Sequence, residues 1–116
     1  SAVLQANQLE SSIHNLRLLI IQDIRDALRQ IETEWERVMA SRTTTKFRRQ
    51  SLEAERKRYE VGATTAFDLL QREEELADAE ANELNAMVSY KIALANLQRA
   101  TGMLLDYLNV RVEVEN

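Results

Sequence analysis

Two glycines and no proline in 116 residues leave this chain very few places to turn. Gly62 lies in Tyr59-Glu60-Val61-Gly62-Ala63-Thr64-Thr65-Ala66-Phe67-Asp68, between two long stretches with helical periodicity. Gly102 is the other. The expected fold is therefore all-α: one long antiparallel helical hairpin, coiled-coil-like, with a tight tip at Gly62. A long hairpin with a broad apolar band seldom stands alone, so a structural or partner-binding role is expected rather than catalysis.

The first arm carries Leu9, Ile13, Leu16, Ile20, Ile24, Ala27, Ile31, Trp35 and Val38, at steps of 4, 3, 4, 4, 3, 4, 4 and 3. Over an 11-residue cycle that spacing averages about 3.67 residues per turn, which favours straight or slightly right-handed packing. Thr43, Thr44 and Thr45 lower helix propensity. With no glycine or proline there, a bend is the most they predict. The first helix is expected from about residue 7 to residue 60, with the tip at 61–65. Gly62 supplies the positive φ that ends a helix. Thr65 reads as an N-cap with Asp68 three residues on, a capping box with aspartate in place of glutamate. The second helix is expected over about 66–105, with Thr101-Gly102 as a stop or fray. The alternating Val110-Arg111-Val112-Glu113-Val114-Glu115 is expected to form part of an extended tail, 106–116.

On the second arm Leu69, Leu76, Tyr90 and Leu97 share a heptad position, interrupted by Glu83. Ala79, Ala86, Ala93 and Ala100 form a small-residue stripe, and Ala81, Val88 and Ala95 a third line. The apolar band is wider than a two-stranded seam requires, so this helix is expected to meet more than one neighbour, as in a bundle or helical barrel. Charge supports the same register. Arg42, Lys46, Arg48, Arg49, Arg56, Lys57 and Arg58 dominate one side of the tip, and Asp68, Glu73, Glu74, Glu75, Asp78, Glu80 and Glu83 the other. A turn at Gly62 lays them side by side, with Trp35 near Tyr90 and Leu28 near Leu97.

Other chemistries find little to build on. The net charge is −4, and the acidic arm competes for the basic run, so no nucleic-acid partner is expected. With no cysteine, disulfides and thiolate metal sites are excluded. His14 is the only histidine, which removes His-based triads and zinc sites. Glu73, Glu74 and Glu75 point in different directions on a helix and cannot converge on one ion. No cofactor is expected. No run approaches the ~18 apolar residues of a spanning helix. The chain begins at Ser1 and not methionine, so it reads as a piece of something larger.

From about Glu55 to Leu105 the sequence resembles the TolC-like outer membrane efflux proteins. The resemblance lies in the order and spacing of several motifs. They are Arg58-Tyr59-x-x-Gly62, Asp68-Leu69-Leu70, the Ala-Glu-rich helix, Ser89-Tyr90-Lys91-x-Ala93-Leu94-Ala95-x-Leu97, and Ala100-Thr101-Gly102. The first helix is similar to the family's long helix but matches less sharply. The ending Gly102-Met103-Leu104-Leu105-Asp106-Tyr107-Leu108 resembles the close of the second of the family's two internal repeats.

The resemblance implies a homotrimeric conduit, with a β-barrel in the outer membrane and an α-helical barrel crossing the periplasm. Hairpin tips there meet a periplasmic adaptor that links to an inner-membrane pump. This chain would be one periplasmic hairpin, a fragment of the helical barrel, related to the membrane only through the missing β-barrel. By the same resemblance the partner-binding tip is Arg58, Tyr59, Val61, Gly62, Ala63, Thr64 and Thr65. Tyr59 matches a tyrosine that latches the closed tip. Asp68 matches the first of two acids ringing the entrance, and Gln71 occupies the second position. Thr64 stands where the latch arginine would be. The contrasting expectation is a generic coiled-coil scaffold or dimerisation module with no transport role, needing only a turn at Gly62.

Overall fold

A computed structural model describes residues 1–115. The fold is all-α: helix α1, Ala2–Glu60, and helix α2, Ala66–Glu115, joined by one tight turn into a helical hairpin, with no strand among the described residues. The contacts divide the chain into two units, Glu32–Lys91 around the tip and Ser1–Ile31 with Ile92–Asn116.

In the tip unit, the less exposed residues of α1 include Glu34, Val38, Ser41, Thr45, Arg48, Leu52 and Glu55, with Ser51 beside Leu52; those of α2 include Leu69, Arg72, Leu76, Ala79, Glu83, Ala86 and Tyr90. Their steps alternate between three and four, a period of 3.5 in both helices, as in a two-stranded coiled-coil seam. The line expected from 3.67 spacing over residues 9–38 departs from this seam at residue 35. That estimate followed apolar residues, and much of the α1 seam is polar. At Trp35 it stepped onto the flank, where the ring stays 43 % exposed while Glu34 occupies the seam. Trp35 still reaches Tyr90, with ring centroids 5.3 Å apart and planes tilted by 50°. That places the two arms in the antiparallel register expected from charge.

Ala79 and Ala86 are buried in this seam, Ala86 completely. The alanine stripe thus faces α1 itself, and small side chains let the backbones approach. Thr43 and Thr44 donate to the carbonyls of Met39 and Ala40 one turn back, at 3.1 Å each, while Thr45 crosses the seam and donates to the Ala79 carbonyl at 3.2 Å. Each threonine hydroxyl is thus satisfied without breaking α1, which runs unbroken through this stretch.

In the second unit Ile20, Ala27, Ala93, Ala100 and Tyr107 are buried. Leu28, expected beside Leu97, lies off this line and is 52 % exposed. Both outer helix limits differ from expectation. Ser1 caps α1, its Oγ accepting from Leu4 N–H at 3.3 Å and its carbonyl from Gln5 N–H at 3.2 Å, so the helix starts at Ala2 and not near residue 7. At the other end α2 passes through Thr101-Gly102 without stopping, and the expected extended tail over 106–116 is helical as far as Glu115; Asn116 lies outside the described residues. Gly102 costs a helix about 1 kcal/mol relative to alanine, less than burial of Tyr107 and half-burial of Leu104 return. Arg111 also donates to the Tyr107 hydroxyl at 3.1 Å, one turn further into the supposed tail.

Candidate functional site

The tip is built by a stop signal followed at once by a start signal. Gly62 has φ 75°, the only positive φ among the described residues. Gly62 N–H donates to the Tyr59 carbonyl at 3.0 Å and Ala63 N–H to the Arg58 carbonyl at 2.8 Å. This pair of bonds is the Schellman motif, which satisfies carbonyls that the end of α1 leaves over. Thr65 then caps α2: its Oγ1 accepts from Asp68 N–H at 3.2 Å and its carbonyl from Leu69 N–H at 3.1 Å. The expected capping box is therefore present in its forward half. The Asp68 carboxylate lies 3.3 Å from Thr64 Oγ1, in the first turn of α2, where the helix dipole favours negative charge.

The turn is also fastened from inside. Glu55, 7 % exposed, accepts a 2.5 Å hydrogen bond from Thr64 Oγ1. Arg58 pairs with Glu55 at 3.7 Å and donates to the Ala63 carbonyl at 3.4 Å. Among the expected tip residues, Thr64 is thus half-buried and turned to the interior, whereas Tyr59, Val61, Gly62, Ala63 and Thr65 are exposed. Val61 is 79 % exposed. Asp68 and Gln71 are exposed in the first turns of α2. Sequence reasoning passed over Phe67, whose ring is 75 % exposed beside the cap. Its signal was available: position 67 falls off the seam line of Leu69, Arg72 and Leu76, so an aromatic there has no place inside the hairpin. With Tyr59 and Val61 it gives the tip three exposed apolar side chains.

Behind the tip, the opposed charges meet. Arg48 reaches Glu75 at 3.2 Å, Arg49 reaches Glu80 at 3.5 Å, Arg42 reaches Glu83 at 3.9 Å and Arg56 reaches Glu73 at 4.0 Å. All four join a base of α1 to an acid of α2, so the basic run is matched by its own partner helix. Arg72 also grips both oxygens of Glu75, at 3.0 and 2.9 Å. This hydrogen bonding, and then the Glu75 charge, holds the Arg72 guanidinium above its ordinary pKa.

The second unit has a cleft of about 610 Å³, lined by apolar side chains including Ile13, Ile20, Met103 and Val110, with His14 and Asp106 at its polar margin. It brings no serine, threonine or cysteine to His14. No group of three or more potential metal ligands occurs among the described residues, and no helix there is long and apolar enough to cross a membrane.

Residues 1–103 match the sequence profile described as outer membrane efflux protein. No curated protein and no solved structure gives a match.

Proposed function

This chain belongs to the outer membrane efflux protein family, a family of export channels and not of enzymes, and we propose that it is the periplasmic hairpin of a trimeric channel. In this reading the tip docks a periplasmic adaptor and gates the conduit for efflux or type I secretion. The observation that carries it is the tip's construction. A generic rod needs only a turn. Here the turn is hydrogen-bonded at both helix ends and exposes Val61, Phe67 and Tyr59 to solvent. Exposed apolar groups on a rigid support are what a partner surface requires.

Gating follows from position rather than reaction. Asp68 and Gln71 are exposed just beyond the tip, and Tyr59 just before it. In a threefold assembly the three Asp68 carboxylates would repel one another, which favours opening or draws in cations. An adaptor shifts that balance only by contacting open and closed tips differently.

The test is made in the full-length protein. Replacing the exposed Val61 and Ala63 together with aspartate is expected to abolish export of drug or protein while native electrophoresis still shows the trimer. Undiminished export from an assembled trimer would remove the docking role and favour the scaffold reading. A scaffold tip tolerates the same changes apart from a loss of folding stability.

A further inference from the structure

Glu55 occupies a place where a coiled coil normally carries an apolar side chain. It continues the seam line of Thr45, Arg48 and Leu52, and it is 7 % exposed. A buried carboxylate is costly unless it is hydrogen-bonded and paired, and a leucine there would often be at least as stable. Glu55 meets both conditions with tip residues. Its Oε1 accepts from Thr64 Oγ1, and its Oε2 lies 3.7 Å from Arg58 Nη1. The same Arg58 donates through Nη2 to the Ala63 carbonyl. Two successive residues of the turn, Ala63 and Thr64, are therefore tied to the last turns of α1 through one interior carboxylate and its arginine.

The Schellman bonds alone fix Gly62 and the Ala63 amide. They leave the Thr64 side chain and the Ala63 carbonyl unrestrained, and these are the groups that Glu55 and Arg58 take up. Thr64 Oγ1 carries a single proton, and the nearer carboxylate is Glu55 at 2.5 Å against Asp68 at 3.3 Å.

We propose that Glu55 is a positioning residue, a buried carboxylate that holds the turn through Thr64 and Arg58 and so pre-organises an exposed surface it does not itself form. Its value for docking rests on the function proposed above; its effect on the turn does not.

The experiment is amide hydrogen exchange on the full-length protein, read at the hydrogen-bonded tip amides of Ala63, Asp68 and Leu69, with the seam amides of Ala79 and Ala86 as internal reference. Glu55→Ala is expected to accelerate the tip amides at least about tenfold and leave the reference amides unchanged. Glu55→Gln keeps an acceptor for Thr64 and is expected to restore most of the protection. Thr64→Val, at a half-buried site outside the seam, is expected to reproduce the Glu55→Ala effect. The double variant should add nothing further, as for two residues acting through one contact. Unchanged tip exchange in Thr64→Val and Glu55→Ala overturns the proposal. So does equal acceleration at Ala79 and Ala86, which reports a general loss of stability; if Glu55→Ala does not fold, Thr64→Val and Glu55→Gln decide it. Export is assayed in parallel: a loosened tip with undiminished export leaves Glu55 as the positioning residue and removes the docking role instead.

Discussion

The two glycines perform opposite tasks, and substitution separates them. At Gly62 the backbone has φ 75° and an added Cβ would meet nothing within 4 Å, so the cost of Gly62→Ala is purely conformational. We expect a loss of about 1–2 kcal/mol in a urea titration. Gly102 also has open space around its missing Cβ but sits inside α2. Gly102→Ala should therefore stabilise the protein, by about 0.5–1 kcal/mol. If both changes had the same sign, the assignment of one glycine to the turn and the other to the helix would be wrong. The first assignment was legible in the sequence. The second was not, because a glycine followed by an alternating segment reads locally as a helix end, and only the burial of Tyr107 overrides it.

At the scale of the helix, the seam explains which substitutions matter. Ala86 is fully buried, so Ala86→Leu forces the helices apart and should cost about 1–3 kcal/mol or more. Ala81→Leu, on the exposed line, should be nearly neutral by the same urea titration. The alanine stripe was visible in the sequence, but not which helix it faces. Any antiparallel neighbour is compatible with seven-residue spacing, and it took the register to show that α1 is that neighbour. The α1 seam was harder to read because Glu34, Ser41, Thr45, Arg48 and Glu55 carry no hydrophobic signal. The charge pattern supplied what hydrophobicity lacked, since four base–acid contacts cross between the arms. Each exposed pair contributes only about 0–1 kcal/mol. Glu75 is the exception in connectivity, held by both Arg48 and Arg72. Glu75→Gln should lower the urea midpoint, and roughly 0.5 M salt should remove most of the difference. The raised pKa of Arg72 fixes the sign with pH. Its contribution is complete below the ordinary guanidinium range and is lost only as pH rises through the still higher folded value, so moderately alkaline conditions leave it intact.

At the scale of the molecule, the hairpin leaves much apolar surface uncovered. Leu16, Leu18, Leu19 and Leu28 on α1, and Leu84, Val88, Ile92 and Leu105 on α2, are each at least 48 % exposed. The third apolar line predicted from the sequence, Ala81, Val88 and Ala95, is exposed along with them. We expect the isolated chain to self-associate in sedimentation equilibrium, in an arrangement that need not copy the native assembly. A monodisperse monomer at high concentration would contradict the claim that these exposed apolar side chains need a neighbour. At the tip the sequence located the turn and its caps, but not Phe67 or the interior role of Glu55. Both depend on which side of the seam a residue falls, and that is fixed only by register.

The most direct test of the docking tip is export by full-length protein carrying Phe67→Asp alone, measured alongside trimer assembly and thermal stability. Phe67 lies outside the seam and is 75 % exposed, so the substitution leaves the hairpin's interior untouched. The account predicts a trimer that assembles and melts normally but exports at least about tenfold less, the effect of losing a contact worth ~1.4 kcal/mol or more. Full export from that normal trimer would contradict it.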